Sequence, residues 1–161
     1  MKPWGLVVLL VLAPVAPAAL GAQRKPTAAR PASPSRRAPR GTVAVGDTVR
    51  DSLVRSDLLL PAESTYAQQW RLPGRRGETV TIDLLSDAFD AYLFLVGPGI
   101  PGTPPQDDDS GGRCNARLTV RFRETGDYFI VVTSSERRAT GPFTLAVTRG
   151  ARPASLTPCR Q

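Results

Sequence analysis

Acid–base and nucleophilic catalysis draw on a short list of side chains, and this chain lacks the most used of them: it contains no histidine. That removes Ser-His-Asp and Cys-His arrangements and histidine-ligated zinc together. Paired carboxylates remain a means of glycoside hydrolysis, but no spacing among the acids singles out an acid and a base. Gly97-Pro98-Gly99-Ile100-Pro101-Gly102 is a literal G-x-G-x-x-G. The dinucleotide motif must open a helix that receives a pyrophosphate, and Pro101, Pro104 and Pro105 forbid a helix here. Two features are left that could do chemistry: Asp107-Asp108-Asp109 followed by Ser110-Gly111-Gly112, and the pair Cys114 and Cys159.

Three adjacent carboxylates repel one another unless water or a cation separates them. Calcium takes oxygen ligands from such loops. The EF-hand pattern fails, because the twelfth position counted from Asp107 is Leu118 rather than glutamate. Two readings stay open: calcium held by Asp107, Asp108 and Asp109 with Asp90 nearby, or a solvated acidic turn.

The cysteines are read through the N-terminus. Met1-Lys2-Pro3-Trp4 is a short basic start, and Gly5 to Ala13 is an apolar run of nine residues. Pro14 and Pro17 follow, and small residues lead to Ala22. This is the layout of a secretory signal peptide, residues 1–22, with cleavage after Ala22 or alternatively after Ala18. The run falls well short of the roughly 20 residues that cross a bilayer, and no second apolar run follows, so no transmembrane segment is expected after cleavage. A secreted or periplasmic destination is oxidising, and an even cysteine count there favours a disulfide between Cys114 and Cys159.

The formal charge of +7 resembles a nucleic-acid signal until it is located. Residues 23–40 carry Arg24, Lys25, Arg30, Arg36, Arg37 and Arg40 and no acid. With Lys2 set aside as well, 14 of the 21 basic residues remain from residue 41 onward, against all 14 acids. A nucleic-acid-binding domain is itself basic, so no nucleic-acid partner is expected. The 23–40 segment reads as a disordered Pro/Ala/Arg-rich linker.

These groups must be positioned by whatever residues 41–161 form, and there the hydrophobic period is two. Thr65–Leu72 places Tyr66, Gln68, Trp70 and Leu72 on one face, and Thr79–Leu85 places Val80, Ile82 and Leu84 on one face. Leu118, Val120 and Phe122 alternate with Arg117, Thr119, Arg121 and Arg123. Tyr128, Ile130 and Val132 alternate with Phe129 and Val131, as do Phe143, Leu145 and Val147 with Thr144, Ala146 and Thr148. Ala91–Val96 is apolar on both faces and reads as a central strand. Asp47–Leu53 and Asp57–Leu60 supply further short runs. Pro73-Gly74 with Gly77, the stretch from Gly97 to Gly112, Thr125-Gly126-Asp127, and Ser134 to Gly141 carry turn chemistry. Strands this short, at this spacing, without a helix, predict an all-β antiparallel sandwich or jelly roll of about seven to nine strands. Trp70, Phe89, Tyr92 and Tyr128 are the expected aromatic structural core, with Phe89 and Tyr92 plugging the mouth of the sandwich. The Trp70 N–H needs a partner, Asp90 is expected to accept backbone N–H bonds before its strand, and Gly126 to permit a hairpin-like turn.

The order of motifs resembles the bacterial pre-peptidase C-terminal domain over residues 44–148. The matching stretches are Gly46-Asp47 with Leu53, Tyr66 with Trp70, Gly77 to Ile82, and Ser86 with Phe89 to Leu93. Asp107-Asp108 with Gly111, Ala116 to Leu118, Gly126 to Val132, and Gly141 to Leu145 complete the set. The resemblance implies a β-sandwich accessory module without catalytic machinery, contacting a protein or polysaccharide outside the cytoplasm through a sandwich face or the loops 97–112 and 134–141. The competing expectation is an envelope-associated structural or assembly protein that docks through its basic N-terminal tail.

Overall fold

The computed structural model describes residues 38–159; the expected signal peptide and all but the last three residues of the expected basic linker lie outside them. Among the described residues there is no helix, and ten strands form two sheets. In chain order they are β1 (Gly41–Thr42), β2 (Thr48–Leu53), β3 (Leu58–Leu60), β4 (Thr65–Gly74) and β5 (Thr79–Leu85), then β6 (Ala91–Val96), β7 (Gln106–Asp107), β8 (Ala116–Arg121), β9 (Gly126–Ser134) and β10 (Gly141–Arg149). One sheet runs β1-β4-β9-β6-β7 with β3 also on β4, and the other runs β2-β10-β5-β8. All pairings are antiparallel except the two-residue pairing of β1 with β4. Ten exceeds the expected range by one, and the two strands that match no run in the sequence pattern, β1 and β7, are two residues each. Neither is long enough to show an alternating pattern.

The period-two residues do what their spacing predicts. Leu72, Ile82, Leu84, Leu93, Leu95, Ile130, Val132, Leu145 and Val147 are fully buried between the sheets. Burial of this kind stabilises by about 25 cal/mol per Å² of apolar surface. Trp70, Phe89 and Tyr128 join them. Tyr92 does not. β6 alternates, with Ala91, Leu93 and Leu95 inside and Tyr92, Phe94 and Val96 half-buried on the outer face. A strand apolar on both faces does not declare which face is inner, and the smaller set took the core.

The expected hairpin at Thr125-Gly126-Asp127 is instead an arch from one sheet to the other, since β8 and β9 lie in different sheets. Tyr128 fastens it. Its hydroxyl donates to the Glu124 carbonyl at 2.9 Å, and its ring stacks on Phe122 with centroids 4.4 Å apart. Gly126 serves by close approach rather than by a special backbone angle: a Cβ there would meet Pro98 Cγ at 2.9 Å. Gly77 does need its freedom, with φ at +85° in the turn between β4 and β5.

Two further expectations fail for related reasons. The Asp90 carboxylate does not cap its turn. Ser86 does so, with Oγ accepting from Ala88 N at 3.0 Å and Phe89 N at 3.2 Å. The Trp70 Nε1–H is buried without a partner among the described residues, its ring covered by Gly41 of β1. Packing of the large ring outweighs the cost of one unmade hydrogen bond.

Candidate functional site

Three places on the sandwich hold the groups singled out by the sequence. The first is a strap. After β10 the chain turns back over the outer face of β5 and β8. Arg152 N donates to Thr81 Oγ1 at 3.0 Å, and Thr81 Oγ1 donates to Gly150 O at 2.8 Å. The strap explains two polar residues buried on what should be a wet face, Thr81 and Asp83. Asp83 opposes Arg117 in register and accepts from Arg117 Nε on one oxygen and Arg152 Nη1 on the other, both at 2.6 Å. Arg117 Nη1 also donates to Pro153 O at 2.8 Å. The far end is tied by Ser155 N to Ser110 O at 2.8 Å, Arg113 N to Thr157 O at 3.2 Å, and the Cys114–Cys159 disulfide. The cysteines therefore pin the C-terminal tail.

The second is the acidic corner. Asp107 Oδ1 accepts from Ser110 N at 2.9 Å and Arg117 N at 2.8 Å, so that oxygen is used by the turn itself. Lost hydration, followed by the charges of Asp108, Asp90 and Asp107, pushes the Asp109 carboxyl above the usual range. Asp109 thus stands close enough to the other three aspartates to feel their charge. Asp90 Oδ1 is buried without a hydrogen-bond partner among the described residues. A carboxylate oxygen of Asp90 and both cysteine sulfurs lie within 4.8 Å of one another. That trio is no metal site, because a disulfide offers no thiolate. Tested for calcium, Asp90 fits as a free oxygen donor and Asp107 Oδ1 does not.

The third is the outer face of the six-stranded sheet. Tyr92, Phe94 and Val96 stand opposite Thr133, Val131 and Phe129 on β9. The Tyr92 and Phe94 rings lie 6.1 Å apart. They line a groove of 270 Å³ with Glu63, Gln106, Thr133 and Pro104. Burial first, then the carboxylates of Asp108 and Glu63, push the Tyr92 phenol above its usual value. The sequence reading missed this surface because it assigned Tyr92 to the core. Phe94 one pleat on was the available signal, since two aromatics two residues apart share a face.

No protein-family model matches the chain, and no curated protein matches it. Solved structures do. The chain is similar to the pre-peptidase C-terminal domain of a collagenase from Bacillus anthracis, at 13% identity and a TM-score of 0.54, over 70% of this chain and 98% of that one. It also matches the periplasmic inhibitor of g-type lysozyme from Aeromonas hydrophila, at 18% identity and a TM-score of 0.49, over 68% of this chain and 96% of that one. At these identities the first likeness shows a shared fold. The family resemblance read from the sequence therefore holds at the level of the sandwich.

Proposed function

We propose that the chain is a secreted or periplasmic, non-catalytic accessory module that binds a protein or polysaccharide outside the cytoplasm. The observation that carries this reading is the Tyr92–Phe94 groove. Half-buried aromatic rings beside carboxylate and amide groups make a surface that binds without reacting. The disulfide supports an oxidising compartment. The missing histidine, and the use of Asp83 and Asp107 in structural bonds, support an accessory rather than a catalytic role.

Sedimentation with insoluble polysaccharide and with fibrous collagen tests it. The protein is expected to co-sediment with one of them. Tyr92→Ala combined with Phe94→Ala should weaken retention by about tenfold or more, as loss of aromatic anchors does. Both side chains lie outside the core, so unfolding should stay cooperative. Deleting residues 23–40 should change nothing. Retention that survives the double substitution but vanishes with the deletion, in step with ionic strength, overturns this reading in favour of docking through the basic tail.

The acidic corner carries the cofactor question within the same proposal. Calcium coordinated by Asp90 with Asp108 or Asp109 raises the thermal midpoint relative to chelator, and Asp90→Asn abolishes the rise. Equal midpoints assign Asp107–Asp109 to a solvated turn.

A further inference from the structure

The opposite end of the sandwich holds a cavity of 380 Å³ that the proposed function does not use. It forms where the Gly97–Pro105 loop crosses the β8–β9 arch. Leu95, Ile100, Pro105, Phe122 and Tyr128 line it. The Tyr128 hydroxyl is committed to the Glu124 backbone, which leaves an apolar wall. The charged groups lining the cavity are Arg121 and Arg123.

Those two arginines are among the unpaired ones of the domain. Arg40, Arg71, Arg117, Arg149 and Arg152 are each paired with a carboxylate. Among the described residues, neither Arg121 nor Arg123 forms an ion pair or a side-chain hydrogen bond. Arg75 and Arg76, likewise unpaired, are brought to the same end by the turn bonds Gly77 N to Phe122 O at 2.8 Å and Arg76 N to Thr125 Oγ1 at 3.0 Å. Of the acids at this end, Asp127 pairs with Arg71 and Glu78 with Arg149, and Glu124 has no cationic partner. Four unpaired arginines against Glu124 leave this end with an excess of positive charge, while Glu136 accepts from Asp90 N at the start of β6.

We propose that this cavity binds a single-chain amphiphile with an anionic head, an alkyl carboxylate or alkyl phosphate. The chain lies along the half-buried Ile100, Pro105 and Val120, over a floor formed by the Phe122–Tyr128 stack, and the head meets the Arg121 and Arg123 guanidiniums. Guanidinium geometry suits both heads. The volume falls in the range of about 300–1,000 Å³ occupied by small-molecule sites. Each methylene removed from water adds about 0.8 kcal/mol. This site is separate from the Tyr92–Phe94 groove and stands or falls independently of it.

Calorimetric titration of the full-length secreted protein, with ligands held below micelle formation, tests the proposal. Dodecanoate and dodecyl phosphate should each bind saturably at one site, and dodecyltrimethylammonium at least about tenfold more weakly. Arg121→Gln with Arg123→Gln should weaken dodecanoate binding about tenfold, a loss in the range of charge-assisted hydrogen bonds. The thermal midpoint should hold, since neither side chain has a partner to lose. If the double variant misfolds, each single substitution should still give a partial loss. Equal binding of the cationic amphiphile overturns the proposal, as does binding that the arginine variants leave intact. Association with anionic vesicles but not with monomeric dodecanoate also overturns it, and assigns this end to a membrane surface.

Discussion

Replacing Cys114 and Cys159 together with serine lowers the free energy of unfolding by about 4 kcal/mol, the chain-entropy value for a closed loop of roughly 46 residues. The cross-link spans 45 residues of sequence, from the loop before β8 to the far end of the strap. Without it the unfolded chain gains freedom, and the folded chain loses the anchor at the far end of the strap. Ser155 N to Ser110 O and Arg113 N to Thr157 O would then hold residues 154–159 by two backbone bonds. An exposed terminal segment held that weakly frays. Urea unfolding measures the difference. The wild-type curve in reductant should fall onto that of the variant, and the variant should ignore reductant. A gap below about 1 kcal/mol would mean that the bond merely decorates a tail already fixed by its hydrogen bonds.

The sandwich was legible in the sequence because its cause is local. Alternation at Leu118, Val120 and Phe122, or at Phe143, Leu145 and Val147, needs no knowledge of partners to point one face inward. The cysteine pair was legible for a different reason: an even cysteine count behind a segment that reads as an export signal favours one pairing. What escaped has a common origin in long-range geometry. Asp83 sits in TVTIDLL as an ordinary wet-face residue, and nothing nearby announces that Arg152, 69 residues later, returns to cover it. Tyr92 sits in a strand apolar on both sides, where pattern cannot choose the inner face. The arches at Gly74–Gly77 and Thr125 carry the same turn residues as hairpins, yet they cross between sheets. Turn chemistry sets where the chain bends; the packing of two sheets sets where it goes.

Asp83→Ala should be the most damaging single charge change in the domain, costing about 3 kcal/mol, the lower end of what breaking a buried ion pair costs. The carboxylate side chain is 4% exposed and that of Arg117 14%, whereas Arg152 is 47% exposed. The loss therefore falls chiefly on Arg117, left between β5 and the strap without its counter-charge. Arg152 can turn to water and contributes less. Asp83→Asn retains the shape and one acceptor and should fall between wild type and alanine. Asp51→Ala is the control. Its pair with Arg40 has comparable geometry, at 2.8 Å, but stands at the surface with side chains 49% and 21% exposed, so its removal should cost far less and depend on salt. Combining Asp83→Ala with the cysteine pair tests whether the strap acts as a unit. Both changes release the same nine residues, 151–159, so their effects should sum to less than the two measured separately. Strict additivity would show the ion pair and the disulfide to be independent fastenings, and an Asp83→Ala cost no larger than that of Asp51→Ala would show that the buried carboxylate does not hold the strap at all.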